Sequence, residues 1–198
     1  KAHDLFIIGD EAYREFVYAG EPLQSMGQFE DAAENVIVID TVSKRFSACG
    51  ARIGCMISRN KELMAQAMKY AQCRLSVPTL DQVAAAALYT VGPDYFAAVR
   101  EEYKRRRDTV VNKLHEIPGV VFYVMAALPV DDADAFQKWL LEEFEDNGDT
   151  VMFAPGEPFY GTPGKGKNEI RIAYVLKQAD LERAMDLLAK GIAAYNAR

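Results

Sequence analysis

Cysteine, histidine and tryptophan are scarce in this chain: three, two and one in 198 residues. The cysteines are Cys49, Cys55 and Cys73, an odd number with no Cys-x-x-Cys pair, so neither a disulfide framework nor a zinc site is indicated. Reduced thiols in a cytoplasmic protein are the expectation from that usage. No apolar stretch approaches the ~18 residues that a membrane-spanning helix needs, and no secretory leader is visible. Basic charge is in deficit, with 23 Lys and Arg against 29 Asp and Glu. The longest basic run, Lys104-Arg105-Arg106-Arg107, lies in a helical pattern and reads as a solvated face. Neither a nucleic acid nor a membrane is therefore an expected partner. There is no Gly-x-Gly-x-x-Gly loop and no Gly-rich loop ending in Gly-Lys-Ser/Thr, so a mononucleotide site has no support.

What is present is an ordinary globular composition, half hydrophobic and 26% charged, which argues against disorder and allows a core of normal size. The chain starts at Lys1 and enters an apolar strand almost at once, the start expected of a piece of a larger protein. Leu5 to Ile8 and Val36 to Ile39 read as strands buried on both faces, as in a parallel sheet, with Gly54 to Ser58 a third. Helices are expected over 61–73 with Asn60 as cap, over 80–89, and from Gly92-Pro93 to Ile117. In the last of these, Phe96, Val99, Tyr103, Val110, Leu114 and Ile117 form one apolar stripe.

Beyond it the spacing predicts strands at 120–124, 151–153 and 169–174. A helix capped by Asp132 or Asp134 and ended by Gly148 lies among them, and a final helix covers 180–196. The whole is α/β in class: an incomplete α/β unit over 1–92, followed by a small α+β unit over 93–198.

Four local features bear on chemistry. Asp10 stands just past a buried strand with Tyr13 three residues on; ligands in α/β sheets gather outside the carboxyl ends of strands, though Asp10 could equally cap a turn and Tyr13 pack. Ser43-Lys44 follows the second strand; the lysine is either a solvated cation or a Schiff-base amine. In Gly50-Ala51-Arg52-Ile53-Gly54, small residues would let a bound group approach the backbone while the guanidinium forks onto an anion. In Asn168-Glu169-Ile170-Arg171, the strand alternation turns Arg171 away from Ile170, toward an anion or toward water.

The order of these features resembles the class I/II aminotransferases, fold-type I pyridoxal phosphate enzymes. The matching stretches are Asp-Glu-Ala-Tyr after a strand and Ser-Lys-Arg-Phe-Ser-Ala-Cys-Gly-Ala-Arg-Ile-Gly. Pro78-Thr79-Leu80-Asp81-Gln82, Ala154-Pro155-Gly156 and Asn168 to Arg171 complete the set. The wording is most similar to the aspartate aminotransferase branch. The resemblance implies the C-terminal part of the large cofactor-binding domain, mainly a parallel sheet with helices, plus a small C-terminal domain.

It further implies that Lys44 holds the cofactor aldehyde and then moves a proton, and that Asp10 pairs with the pyridine nitrogen. Tyr13 would donate to the 3′-oxygen, Ser43 and Arg52 would bind the phosphate, and Arg171 would grip the substrate α-carboxylate. Amino acid and 2-oxo acid substrates and a homodimer come with it. Cys49 and Cys55 are expected to pack.

Two departures stand against the pattern. The upstream half, which in the family supplies a phosphate loop and a ring-stacking aromatic, is absent, so the 198-residue piece is expected to be weakly active or inactive alone. Past Val120-Val121-Phe122 the chain runs straight into Tyr123-Val124-Met125, where the family has a turn, as if residues were missing. Another reaction on the same fold (a C–S lyase, decarboxylase or cyclopropane-forming synthase) and a non-catalytic structural piece remain open alternatives.

Overall fold

Val36, Ile37 and Val38 are β-branched, consecutive and buried, and the first of two compact units is built around them. The structure, a computed structural model, describes every residue except 19, 22, 123 and 124. The first unit covers Lys1–Arg100 and the second Glu101–Arg198.

In the first unit, β1 (Ile7–Asp10), β2 (Val36–Thr41) and β3 (Gly54–Ile57) form a sheet in the order β1-β2-β3. β1 runs parallel to β2, with Ile7 beside Val36 and Asp10 beside Ile39. β3 is antiparallel, with Val38 beside Ile57 and Thr41 beside Gly54. The first strand thus lies two residues later than its apolar run predicts, and it is not buried on both faces. Ile7 is 48% and Ile8 67% exposed. A strand is covered twice only where elements lie over both faces, and β1 is an edge strand of the described sheet.

β2 runs directly into a four-residue helix, α1 (Val42–Arg45), because the Thr41 hydroxyl accepts from Ser43 N at 3.1 Å. Val42, Phe46 and Ala85 make a small core. The Phe46 ring meets those of Tyr89 and Phe96 at 5.1 and 5.6 Å between centroids. Asn60 caps α2 (Lys61–Arg74) as its sequence position predicts, accepting from Leu63 N at 2.8 Å. α3 (Thr79–Leu88) and α4 (Pro93–Glu116) follow. The apolar stripe of α4 serves two cores: Phe96 packs against that of the first unit, while Val110 and Leu114 belong to that of the second.

The second unit holds an antiparallel sheet of short strands in the order β4-β5-β7-β6: β4 (Val121–Phe122), β5 (Ala126–Ala127), β6 (Ala154–Pro155) and β7 (Glu169–Arg171). The strand expected over 120–124 is thus seen as β4, its last two residues lying outside those described. The one expected over 151–153 falls instead at 154–155, where backbone partners on β7 exist. Asp132 caps α5 (Ala133–Glu142) through bonds from Asp134 N and Ala135 N at 2.9 and 3.0 Å. The helix ends at Glu142, well before Gly148; Asn147 and Gly148 instead take positive φ in a separate turn closed between Asp146 and Asp149.

α6 (Gln178–Asn196) lays Leu181, Leu188 and Ile192 into a core with Phe136, Leu140 and Ile170. Among the described residues no helix is long and apolar enough to cross a membrane.

Candidate active site

In a parallel pair both carboxyl ends lie at one edge of the sheet. β1 ends there on Asp10, and β2 ends there on Thr41 with α1 following. Asp10 is exposed, and its Oδ1 accepts from Ala12 N at 3.2 Å, closing a tight turn. The turn continues through bonds from Arg14 N to the Glu11 carbonyl and from Phe16 N to the Tyr13 carbonyl, both 3.0 Å. Tyr13 therefore rides on a turn and does not pack: it is 63% exposed, edge-on to Phe16. Lys44, exposed on α1, sets its Nζ over the Tyr13 ring at 5.6 Å from the centroid.

The Ser43 hydroxyl lies 2.9 Å from Thr41 Oγ1, which itself lies 2.8 Å from the Ile53 carbonyl. A carbonyl only accepts, so Thr41 donates to Ile53 and Ser43 donates to Thr41. Arg52 is exposed, in the left-handed region at φ 53°, with Nη1 donating to the Cys49 carbonyl at 3.1 Å. The glycines around it have a plainer use than ligand approach. A Cβ at Gly54 would lie 3.2 Å from the Asp40 carbonyl, so this glycine admits β2, whereas Gly50 faces open space. Cys49, Cys55 and Cys73 are all exposed free thiols, so the first two do not pack as expected.

Arg171 lies in the second unit, on an interior strand of its sheet. It is exposed while Ile170 beside it is fully buried, the alternation expected of a strand. Its guanidinium stands 5.0 Å from the Phe159 ring centroid, at a largely apolar cavity of about 320 Å³ lined by Met152, Leu176, Leu181 and Met185 among others.

Sequence reasoning missed a set of charges beneath Asp10, Tyr13 and Lys44. Glu11, Arg14, Asp40, Arg45 and Glu15 form a chain of alternating sign. Arg14 lies 3.5 Å from Glu11 and 4.0 Å from Asp40, and Arg45 lies 3.6 Å from Asp40 and 2.6 Å from Glu15. Glu11 and Asp40 are buried. Glu11 also accepts from Ser25 Oγ and Met26 N, both at 2.8 Å, which ties the following loop to the end of β1. Burial opposes the charge on Arg45, but the bond to Glu15 and the fields of Glu15 and Asp40 outweigh it and raise its pKa above the ordinary value. The only signal in the sequence was position, since each of the five lies within two residues of a candidate site residue or of the end of β2.

The family model for class I and II aminotransferases matches residues 1–188. Aspartate aminotransferase of Bacillus subtilis is 29% identical over 210 residues, covering 98% of this chain and 51% of its own length. Glutamate-pyruvate aminotransferase AlaC of Escherichia coli is 34% identical over 198 residues, covering 93% of this chain and 45% of its own. The fold is similar to that of alpha-aminoadipate aminotransferase from Thermus thermophilus, solved as a complex with N-(5'-phosphopyridoxyl)-L-leucine. That likeness has a TM-score of 0.83 at 24% identity, over 99% of this chain and 52% of the other. The chain spans about half the length of the curated relatives it matches. The two curated relatives carry different substrate names. With the family model matched over nearly its whole length, the chain belongs to the class I and II aminotransferases, which are pyridoxal phosphate enzymes.

Proposed function

We propose that this chain is the C-terminal portion of an aminotransferase that moves an amino group between an amino acid, aspartate in our reading, and a 2-oxo acid such as 2-oxoglutarate. The observation that carries this is the Lys44 ammonium over the Tyr13 ring, at the sheet edge where β1 ends on Asp10. The donor set suits pyridoxal phosphate: an amine for its aldehyde, a carboxylate for its ring nitrogen, a phenol for its ring oxygen, and a hydroxyl and a guanidinium for its phosphate.

Bound there, the cofactor supplies an aldehyde and an electron sink. Lys44 would hold the aldehyde through its amine, and as a free amine it would take the proton from the substrate Cα. The Asp10 carboxylate keeps the proton on the ring nitrogen, by opposite charge. Tyr13 donates from its hydroxyl to the 3′-oxygen. Ser43, with its hydroxyl, and Arg52, with its planar fork, would hold the phosphate. Arg171 is our candidate for the substrate α-carboxylate, a task that lysine performs less well because it lacks two parallel donors. A homodimer and a cytoplasmic setting belong to the same proposal; three exposed free thiols suit a reducing compartment.

The test uses the full-length protein loaded with pyridoxal phosphate. Addition of aspartate alone should release oxaloacetate and leave the aminated cofactor, and Lys44→Ala should abolish both along with the absorbance band of the bound aldehyde. Carbon dioxide or a thiol as product would replace transamination with a decarboxylase or lyase. The 198-residue chain by itself is expected to turn over poorly, and full aspartate–oxoglutarate activity from it would overturn that part.

A further inference from the structure

We propose that the ion pair Glu15–Arg45 is a positioning device, holding the turn that carries Tyr13 against the helix that carries Lys44. The inference rests on the reading of Lys44 as the aldehyde-binding amine and deepens it.

Lysine reaches its target through four rotatable bonds, so its placement depends on where its helix sits relative to the ligand's other contacts. Here those contacts lie on two separate pieces of chain. Glu11 N donates to the Ile39 carbonyl at 2.9 Å, which holds the start of the turn to β2. Past that point, Ala12 N bonds Asp10 Oδ1, Arg14 N the Glu11 carbonyl and Phe16 N the Tyr13 carbonyl, all within the turn. Side chains then tie the turn to α1.

Glu15 and Arg45 stand two residues beyond Tyr13 and one beyond Lys44, and they meet across thirty residues of sequence. Arg45 donates Nε and Nη2 to Glu15 Oε1 at 2.9 and 2.6 Å, while its Nη1 faces Asp40 at 3.6 Å. Its guanidinium also lies 5.9 and 5.8 Å from the Phe46 and Phe96 ring centroids. Two bonds, a second carboxylate and two aromatic rings fix the plane of the group, which an ammonium could not satisfy together. The side chains are 17% and 23% exposed, so water screens the pair less than the open surface pair Arg59–Glu30. Arg14 and Glu11 extend the alternation to the end of β1, next to Asp10. A shift of the turn would separate opposite charges at several points at once.

The test is reductive trapping on the full-length protein with pyridoxal phosphate as probe. The lysine amine condenses with the aldehyde and loses water, and borohydride delivers hydride to the C=N carbon, leaving a stable secondary amine. Peptide mapping reads the yield at Lys44 against the yield at exposed Lys138, across pH. Wild type should favour Lys44. R45K and E15Q should each lower the Lys44:Lys138 ratio roughly tenfold, well within what a 1 Å misplacement costs. Both should also move the pH profile of Lys44 toward that of Lys138, and E15R with R45E together should recover part of the ratio.

Unchanged ratios in single variants with native circular dichroism would overturn the proposal. So would single variants that unfold and are not rescued by the swap, since the pair would then support the fold and not the position. A wild-type ratio near one would instead sink the reading of Lys44 itself.

Discussion

Gly191 lies in the middle of α6, where alanine is ordinarily the better residue by up to about 1 kcal/mol. Here a Cβ would come within 2.6 Å of Leu140 Cδ2, and Leu140 is fully buried on α5. Overpacking of this kind costs roughly 1–3 kcal/mol, more than the helix propensity returns. Gly191→Ala is therefore expected to lower stability by about 1–2 kcal/mol in urea denaturation, and a rise in the midpoint would show that the Leu140 side chain yields freely. The candidate site is legible at the same scale only in part. Asp10 with Tyr13, and Ser43 with Lys44, stand out because each pair is close in sequence and follows a strand. The Glu15–Arg45 pair joins residues thirty apart, and no local pattern announces it.

At the scale of elements, caps and periodicity located α2, α6 and the start of α5 closely, because the forces that start and face a helix act within a few residues. Strand boundaries moved, since a strand exists only where a partner offers backbone groups, and that partner is distant in sequence. The turn after α5 adds a device of its own. Asp146 there receives Lys190 Nζ and Arg183 Nη1 from α6, both at 2.7 Å, and Arg183 also bonds the Asp146 carbonyl. The bonds from Lys190 and Arg183 hold the Asp146 carboxyl below its ordinary 3.8. A carboxylate depressed in the folded state takes up its proton more readily in the unfolded chain, so protonation favours unfolding. Its contribution is complete above the ordinary value and fades as pH falls through the depressed one. Urea midpoints measured from about pH 5 to pH 3 should fall less steeply in Asp146→Asn than in wild type, and parallel slopes would remove Asp146 from the acid response.

Across the whole molecule, the two units have unequal cores among the described residues. That of the second unit runs from Val110 to Ile192, whereas in the first unit Val42, Phe46 and Ala85 form a separate small cluster beside the buried face of β2. The first unit also leaves Leu5, Phe6, Ile7 and Ile8 between 48% and 67% exposed along an edge strand. An exposed apolar edge with unpaired backbone groups is a template for pairing with another chain. The isolated 198-residue chain should thus associate as its concentration rises, and Ile8→Lys should suppress this in sedimentation velocity. Association that persists unchanged would place the contact elsewhere.

The sequence by itself determined the family, the helices and the residue types available to the chemistry, because each is written in neighbouring positions: a lysine after a serine, an asparagine before a helix, an arginine between two isoleucines. Only the tertiary structure decided which face of β1 is open, that α4 divides its stripe between two cores, and that alternating charges bind the Tyr13 turn to the Lys44 helix. Those outcomes depend on Coulomb attraction and burial between residues far apart along the chain, and only folding brings such residues within reach of one another.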